Sequence, residues 1–318
     1  MRQALPMPAA IDAMRSAFAA MAEGRVQMPM RNSLSSSRGV TLVMPGAIDD
    51  ETAALAVKVV SVFPGNKLRG IPTIQGLVLV IDPETGQPSA ILDGPSLTAI
   101  RTAAACGLAT DLLSRQDSKI LAVIGSGVQA RTQVEAVCCV RDIEQVRVCN
   151  PNLDSAEAAV GELRGQGRIP TDVRATSDSS EALRGADIVC TATTSGSPVF
   201  DDQDVNPGTH LNAIGSFQPS VREIPSATVA RSLLIVDERQ AALEEAGDIL
   251  QAIADDSITE SHIHCELGDL VRGRASGRTT DDQITLFKSV GFAVQDVAAS
   301  RAALNRAQEL GIGLQIAG

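Results

Sequence analysis

The segment Lys119–Asn150, KILAVIGSGVQARTQVEAVCCVRDIEQVRVCN, constrains the fold more than any other part of the chain. Leu121, Ala122, Val123 and Ile124 predict a short buried strand. Gly125-Ser126-Gly127-Val128-Gln129-Ala130 then turns the chain into a helix, and a second strand is expected over Gln145–Cys149. This order of elements is a βαβ unit with a glycine turn at its first corner. The first glycine permits the tight turn, the second lets a diphosphate approach the backbone, and a small residue at Ala130 lets helix and sheet pack closely. Free N–H groups and the positive end of the helix dipole would hold the diphosphate. Gly125, Ser126, Gly127, Val128, Gln129 and Ala130 are therefore candidate dinucleotide contacts, the alternative being a tight α/β corner that binds nothing.

The apolar strand candidates from here on recur at 120–124, 145–149, 172–175, 187–192, 209–214 and 233–236, with helical or loop segments between most of them. That alternation predicts a doubly wound parallel sheet. Ile284–Lys288 is a further strand candidate, and Val290–Gly311 reads as a long helix with Val294, Val297, Ala298 and Leu304 inward. The first ~115 residues lack this rhythm, about the length of one small domain. A helix is expected over residues 8–23, a serine-rich loop over Asn32–Arg38, and strands over Val40–Met44, Ala54–Phe63, Gly76–Asp82 and Ser89–Leu92. Gly65–Pro72 reads as a loop, and Leu97–Leu113 as an alanine-rich helix.

Composition narrows the function. The formal net charge of −11 argues against nucleic acid, which wants a basic face. A small anionic substrate would then need a local cationic pocket. No apolar run approaches the ~18 residues that span a bilayer, so no membrane partner is expected. The six cysteines form no C-x-x-C pair and several sit in apolar segments; buried free thiols imply a reducing compartment, the cytoplasm. With no Tyr in the chain, a dehydrogenase using a Tyr-Lys proton donor is excluded. His262-x-His264-Cys265 lacks the second ligand pair of a zinc site and reads as a surface turn, so no metal is expected.

The blocks VKVVSVFPGN (57–66), GIPTIQGLVLVIDPETGQPSAILDGPSLTAIRTAAACGLAT (70–110), VIGSGVQA (123–130), LNAIGSF (211–217) and GDLVRGRASGRTTDDQITLFKSVGFAVQDVAA (268–299) resemble the ornithine cyclodeaminase/mu-crystallin family, in the family's order and over most of the chain. The resemblance implies an α/β fold: a Rossmann-type doubly wound parallel sheet inserted into a smaller α+β substrate and dimerisation domain. The division expected is 1–115 plus 292–318 for substrate and dimer, and 116–291 for the dinucleotide. Members of the family carry a further strand before the first helix, so either the native start lies upstream of Met1 or that strand is lacking.

The resemblance also implies that Arg31, Lys58 and Arg101 bind the substrate. Arg31 stands in the loop after the first helix, while Lys58 lies beside Val57, Val59 and Val60 and Arg101 among Leu97, Ile100 and Ala103–Ala105, where a charge costs free energy unless paired and a bound carboxylate would supply the partner. Arginine can grip a carboxylate through two parallel bonds. Lys58 is the candidate catalytic acid/base, because burial and neighbouring arginines depress a lysine pKa toward neutrality. Thr102 and Ser289 are implied to face the cofactor; Thr191, Thr193, Ile214, Gly215 and Ser216 are similar candidates or plain turn residues. The second strand ends in Cys149-Asn150-Pro151-Asn152, with neither an acid nor a cation before Arg164. Asn150 could bond ribose hydroxyls and a 2′-phosphate would find no cation, so NAD is preferred to NADP.

One departure bears on the reaction. Members that cyclise ornithine carry an Asp after the glycine loop where this chain has Phe217, and an aromatic ring cannot abstract a proton. Reduction of a preformed C=N bond needs only a held carboxylate, a placed hydride donor and a protonated nitrogen. The expected activity is therefore NAD(P)H-dependent reduction of an α-imino acid to the L-amino acid. Candidate substrates are iminosuccinate, Δ1-pyrroline-2-carboxylate and Δ1-piperideine-2-carboxylate. A dicarboxylate would need a further cation, such as Arg69 or Arg222. The alternatives are an ornithine or lysine cyclodeaminase with internally recycled NAD, and a nucleotide-dependent binding protein without turnover. A homodimer is implied by the resemblance.

Overall fold

A computed structural model describes residues 1–29, 31–49 and 53–314. The chain divides into two compact units, Met1–Thr102 with the segment from Gly291 onward, and Ala103–Val290. The first boundary falls inside one helix, Gly94–Leu113.

The first unit holds one sheet of β1 (Val26–Gln27), β2 (Asn32–Ser36), β3 (Gly39–Ile48), β4 (Ala54–Val62), β5 (Ile74–Ile81) and β6 (Pro88–Asp93). The order is β1-β3-β4-β5-β6 with β2 also on β3, and every pairing is antiparallel. Side chains alternate across a strand. Met44, Ala56, Lys58 and Val78 share one face by register and are buried. The final helix, Ala293–Leu310, lies over β3, β4 and β5. Gly46 lets it come close: a Cβ there would stand 3.1 Å from Ala293 and Val297. The helix Met7–Ala22 packs beside it, with Phe18 meeting Phe292 edge to face at 5.6 Å between ring centres.

The expected serine loop is instead a strand, β2. All five of its residues are exposed, so burial leaves no periodic signal; backbone pairing to β3 holds it, and Ser36 Oγ accepts from the N–H groups of Arg38 and Gly39 at the turn. Part of the expected loop at Gly65–Pro72 is a short 3₁₀ helix, Pro64–Arg69.

The second unit carries β7 (Ile120–Ile124), β8 (Gln145–Cys149), β9 (Val173–Thr176), β10 (Ile188–Thr191), β11 (His210–Ala213), β12 (Leu233–Val236), β13 (Ile263–Glu266) and β14 (Thr285–Lys288). All pairings are parallel, in the order β13-β12-β14-β11-β10-β7-β8-β9. Strand order reverses between β7 and β10, which opens a crevice at the carboxyl ends of the strands. Apolar clusters fill both faces, one around Leu211, Val236 and Ile249, the other around Val123, Val134 and Val148. The doubly wound sheet expected from the sequence is therefore present, inserted between the two segments of the antiparallel unit.

The turn expected at His262–Cys265 is replaced by the edge strand β13. Its alternation is too short to stand out, with Ile263 and Cys265 buried and His264 exposed. His262 and His264 bond separate carbonyls, those of Val229 at 2.9 Å and Ser276 at 3.0 Å. Among the described residues no group of three His, Cys, Asp or Glu side chains is placed to hold a metal, and no helix is long and apolar enough to cross a membrane.

Candidate active site

Lys58 stands at the middle of the central strand β4, opposite Met44 on one side and Val78 on the other, and is 3% exposed. Its ammonium donates to Asp296 Oδ2 at 2.6 Å. Arg101, also buried, donates from Nε to Asp296 Oδ1 at 3.1 Å and from Nη1 to Gln295 Oε1 at 2.5 Å. Arg31 donates from Nη2 to the carbonyl of Gly291 at 3.4 Å. Gly291 lies beneath both arginines. Its φ is +76°, and a Cβ there would stand 2.5 Å from Arg101 Nη1, so only glycine fits. The structure thus brings Arg31, Lys58 and Arg101 into one cluster. The expectation that a ligand carboxylate would be their first partner needs correction, because Asp296 already balances one charge.

Lys58 and Arg101 share the one carboxylate of Asp296, so this buried pair carries one more positive charge than Asp296 balances. Burial pushes the Lys58 ammonium down, Asp296 pulls it back up, and Arg101 and Arg31 lower it again, leaving its pKa at about 8. Such a group is protonated at neutral pH and gives up its proton readily. Sequence reasoning missed Asp296 and Gln295. Their signal was present: they are polar neighbours on the first turn of the final helix, where every residue from Ala293 to Ser300 is buried. Thr102, next to Arg101, is 9% exposed.

In the second unit the glycine turn has the form a diphosphate requires. Gly125 has φ +115°, and a Cβ would meet the Ala192 carbonyl oxygen at 2.5 Å. Gly127 caps the helix Val128–Val140 with no side-chain acceptor, and a Cβ at Gly127 would project into open space. The first N–H groups of that helix are therefore left without a side-chain cap, beside the open side of Gly127. Gln129 Oε1 is buried and lacks a protein partner, Val128 is exposed, and Ala130 is buried 3.6 Å from the position of a Gly125 Cβ. Asn150 donates to Ser126 Oγ at 2.8 Å and accepts from the Asn152 N–H at 2.9 Å, tying the end of β8 to the turn. These residues fit a dinucleotide.

The turns after β10 and β11 lie on the other side of β7 from Asn150. Thr191 is fully buried and donates to Glu223 Oε2 at 2.9 Å, while the N–H of Thr193 bonds Glu223 Oε1 at 2.6 Å. The Ile214 N–H returns to the Thr191 carbonyl at 3.1 Å, and the Gly215 N–H bonds Glu223 Oε2 at 2.7 Å. Ser216 donates to Asp248 Oδ2 at 2.7 Å and accepts from Lys288 at 3.1 Å. Ser289 donates to Asp237 Oδ2 at 2.7 Å. The hydroxyls of Thr191, Ser216 and Ser289 thus each donate to a protein carboxylate. Sequence reasoning missed Glu223, Asp248 and Lys288, because isolated charges in unremarkable segments carry no periodic signal.

A family model for the ornithine cyclodeaminase/mu-crystallin family matches residues 1–311. A Δ1-pyrroline-2-carboxylate reductase of Bacillus cereus is 40% identical over 295 residues, covering 92% of this chain and 90% of the relative. The solved structure of Thermococcus litoralis Δ1-pyrroline-2-carboxylate reductase, in complex with NADH and L-proline, superposes with a TM-score of 0.93 at 38% identity, covering 99% of this chain and 98% of that one. An archaeal alanine dehydrogenase dimer with bound NAD gives a TM-score of 0.91 at 31% identity, covering 100% and 97%. The chain therefore belongs to the ornithine cyclodeaminase/mu-crystallin family.

Proposed function

We propose that the chain is an NAD-dependent oxidoreductase that reduces the C=N bond of a cyclic α-imino acid, Δ1-pyrroline-2-carboxylate, to the L-amino acid. The observation that carries this reading is the buried pair of Lys58 and Arg101, whose charge exceeds that of the Asp296 they share, with half-buried Arg31 beside them at Gly291. The arginines hold the substrate carboxylate, with Gln295 fixing Arg101. Lys58 supplies the proton that keeps the imine nitrogen cationic, and an iminium carbon accepts hydride directly. Asp296 holds the Lys58 ammonium and the Arg101 guanidinium in place. Bound NADH would supply the hydride. Thr102, Gly125 to Ala130, Asn150, Thr191, Thr193, Ile214, Gly215, Ser216 and Ser289 are the residues proposed to hold the dinucleotide. The first unit would then serve the acid and the second the cofactor.

Several observations choose among the alternatives. Phe217, 47% exposed, offers no carboxylate for cyclodeamination. A dicarboxylate such as iminosuccinate would need a further cation, and Arg222 is engaged by Ser226 at 3.0 Å and Asp255 at 3.6 Å. The end of β8 offers Asn150 and no cation before Arg164, which favours NAD over NADP. The B. cereus and T. litoralis relatives, named as reductases of this imine, point to the same substrate.

A homodimer completes the proposal. On the sheet face opposite Lys58, register places Val43, Pro45, Val57, Val59, Leu79 and Ile91 together, and Ile91 is 66% exposed. Such an apolar face suits a second copy of the chain. With its thiols unpaired and largely buried, the protein suits the reducing cytoplasm.

The test is loss of nicotinamide absorbance when purified protein meets NADH and Δ1-pyrroline-2-carboxylate. Turnover is expected. Absence of turnover with this imine, Δ1-piperideine-2-carboxylate and iminosuccinate alike would reject the activity.

A further inference from the structure

Glu223 joins two turns that no local sequence pattern links. Its carboxylate is fully buried and takes three donors, the N–H of Thr193 after β10, the N–H of Gly215 after β11, and the Thr191 hydroxyl. Gly215 is held so closely that a Cβ there would stand 2.5 Å from Glu223 Cδ. The backbone of Glu223 is itself anchored: Asp248 Oδ1 accepts from the N–H groups of Glu223 at 2.6 Å and Ile224 at 2.9 Å. Lys288, fully buried at the end of β14, donates to Asp248 Oδ2 at 2.7 Å and to Ser216 at 3.1 Å. A single buried network therefore sets the carboxyl ends of β10, β11 and β14.

A buried carboxylate is costly unless its oxygens are hydrogen-bonded, and Glu223 meets three donors. Lys288 neutralises Asp248, which leaves Glu223 as the excess carboxylate. Burial raises the Glu223 carboxyl and Lys288 lowers it, with a net rise. Burial works to raise Asp248 too, but Lys288 and the hydrogen bonds from Ile224 and Ser216 hold it below its usual value. Strand order gives the network its place. With the diphosphate at the turn after β7 and the adenosine ribose at Asn150 after β8, a dinucleotide crossing the switch point directs its second nucleoside toward β10 and β11.

We infer that Glu223, braced by the Lys288–Asp248 pair, is a positioning residue that fixes the Thr193 and Gly215 turns for the nicotinamide half of the cofactor and not for the adenosine half. This rests on the dinucleotide reading above, and needs only that reading and not the substrate assignment.

The experiment is isothermal titration of the wild type, Glu223→Gln and Thr191→Val with NADH and with ADP-ribose, which lacks the nicotinamide. The glutamine amide keeps the shape of Glu223 but turns a donor toward one of the two N–H groups. NADH affinity of Glu223→Gln is expected to fall about tenfold, with ADP-ribose affinity changed less than about twofold. Thr191→Val removes one donor, leaves both backbone anchors, and is expected to show the same selectivity at smaller size. ADP-ribose binding also reports that each variant is folded. Equal losses for the two ligands, or undiminished NADH affinity in Glu223→Gln, would overturn the inference. Wild-type protein binding neither ligand would instead reject the dinucleotide reading itself.

Discussion

Lys58 owes its acidity to its position. Neighbours in the sequence are apolar, and the residues that adjust its charge, Asp296 and Arg101, come from distant parts of the chain. Replacing Lys58 by Ala should lower kcat by about 10²–10⁴-fold, the usual contribution of a positioned acid, while NADH affinity by titration stays within about twofold. Because a donor must carry its proton, kcat/KM for imine reduction should fall as pH rises past about 8. Asp296 pulls that value up, so Asp296→Asn should move the alkaline limb to lower pH; a limb that stays or moves upward would remove Lys58 as the titrating group. The Gly291 prediction is steric. A methyl group at φ +76° and 2.5 Å from Arg101 Nη1 displaces the guanidinium, and Gly291→Ala should cost about 10²-fold in kcat/KM for the imino acid. Lys58 and Arg101 were legible as charges in apolar sequence, Arg31 only through the family resemblance. Asp296 was not, because its pairing with Lys58 spans 238 positions and no single-segment pattern records it.

At the scale of elements, what the sequence disclosed was whatever repeats within one segment. The glycine turn was legible because Gly125, Gly127 and Ala130 each answer a separate steric demand at fixed spacing. The parallel strands were legible because burial on both faces makes them continuously apolar, as in Leu121–Ile124. Strands β2 and β13 were hidden for opposite reasons. One is exposed throughout and held by its neighbour's backbone; the other is four residues long at a sheet edge. The Glu223 link between two turns was also illegible, since hydrogen bonds from backbone N–H groups leave no mark on residue identity.

For the whole molecule, the proposed dimer rests on the apolar face of the antiparallel sheet opposite Lys58. A dimer that buries it ties stability to protomer concentration. The midpoint of thermal unfolding should therefore rise with protein concentration, and Ile91→Glu should yield monomers by sedimentation, since the residue is 66% exposed and lies on that face beside Leu79. Monomeric wild-type protein across the micromolar range would reject the proposed assembly. This face was only half legible: alternation predicted strands, but apolar residues at both parities, such as Val57 with Val59 and Ala56 with Val78, did not say which side a helix would cover.

The seat of Lys58 carries one more consequence. Dryness, not an unusual neighbour in the chain, makes this amine a usable acid, and Val78 and Met44 are among the side chains that keep it dry. A thinned wall there would let solvent reach the ammonium and restore its ordinary basicity. Such a variant would keep every reacting atom and still be a poor enzyme, so damage to its chemistry can originate in greasy residues that never meet the substrate.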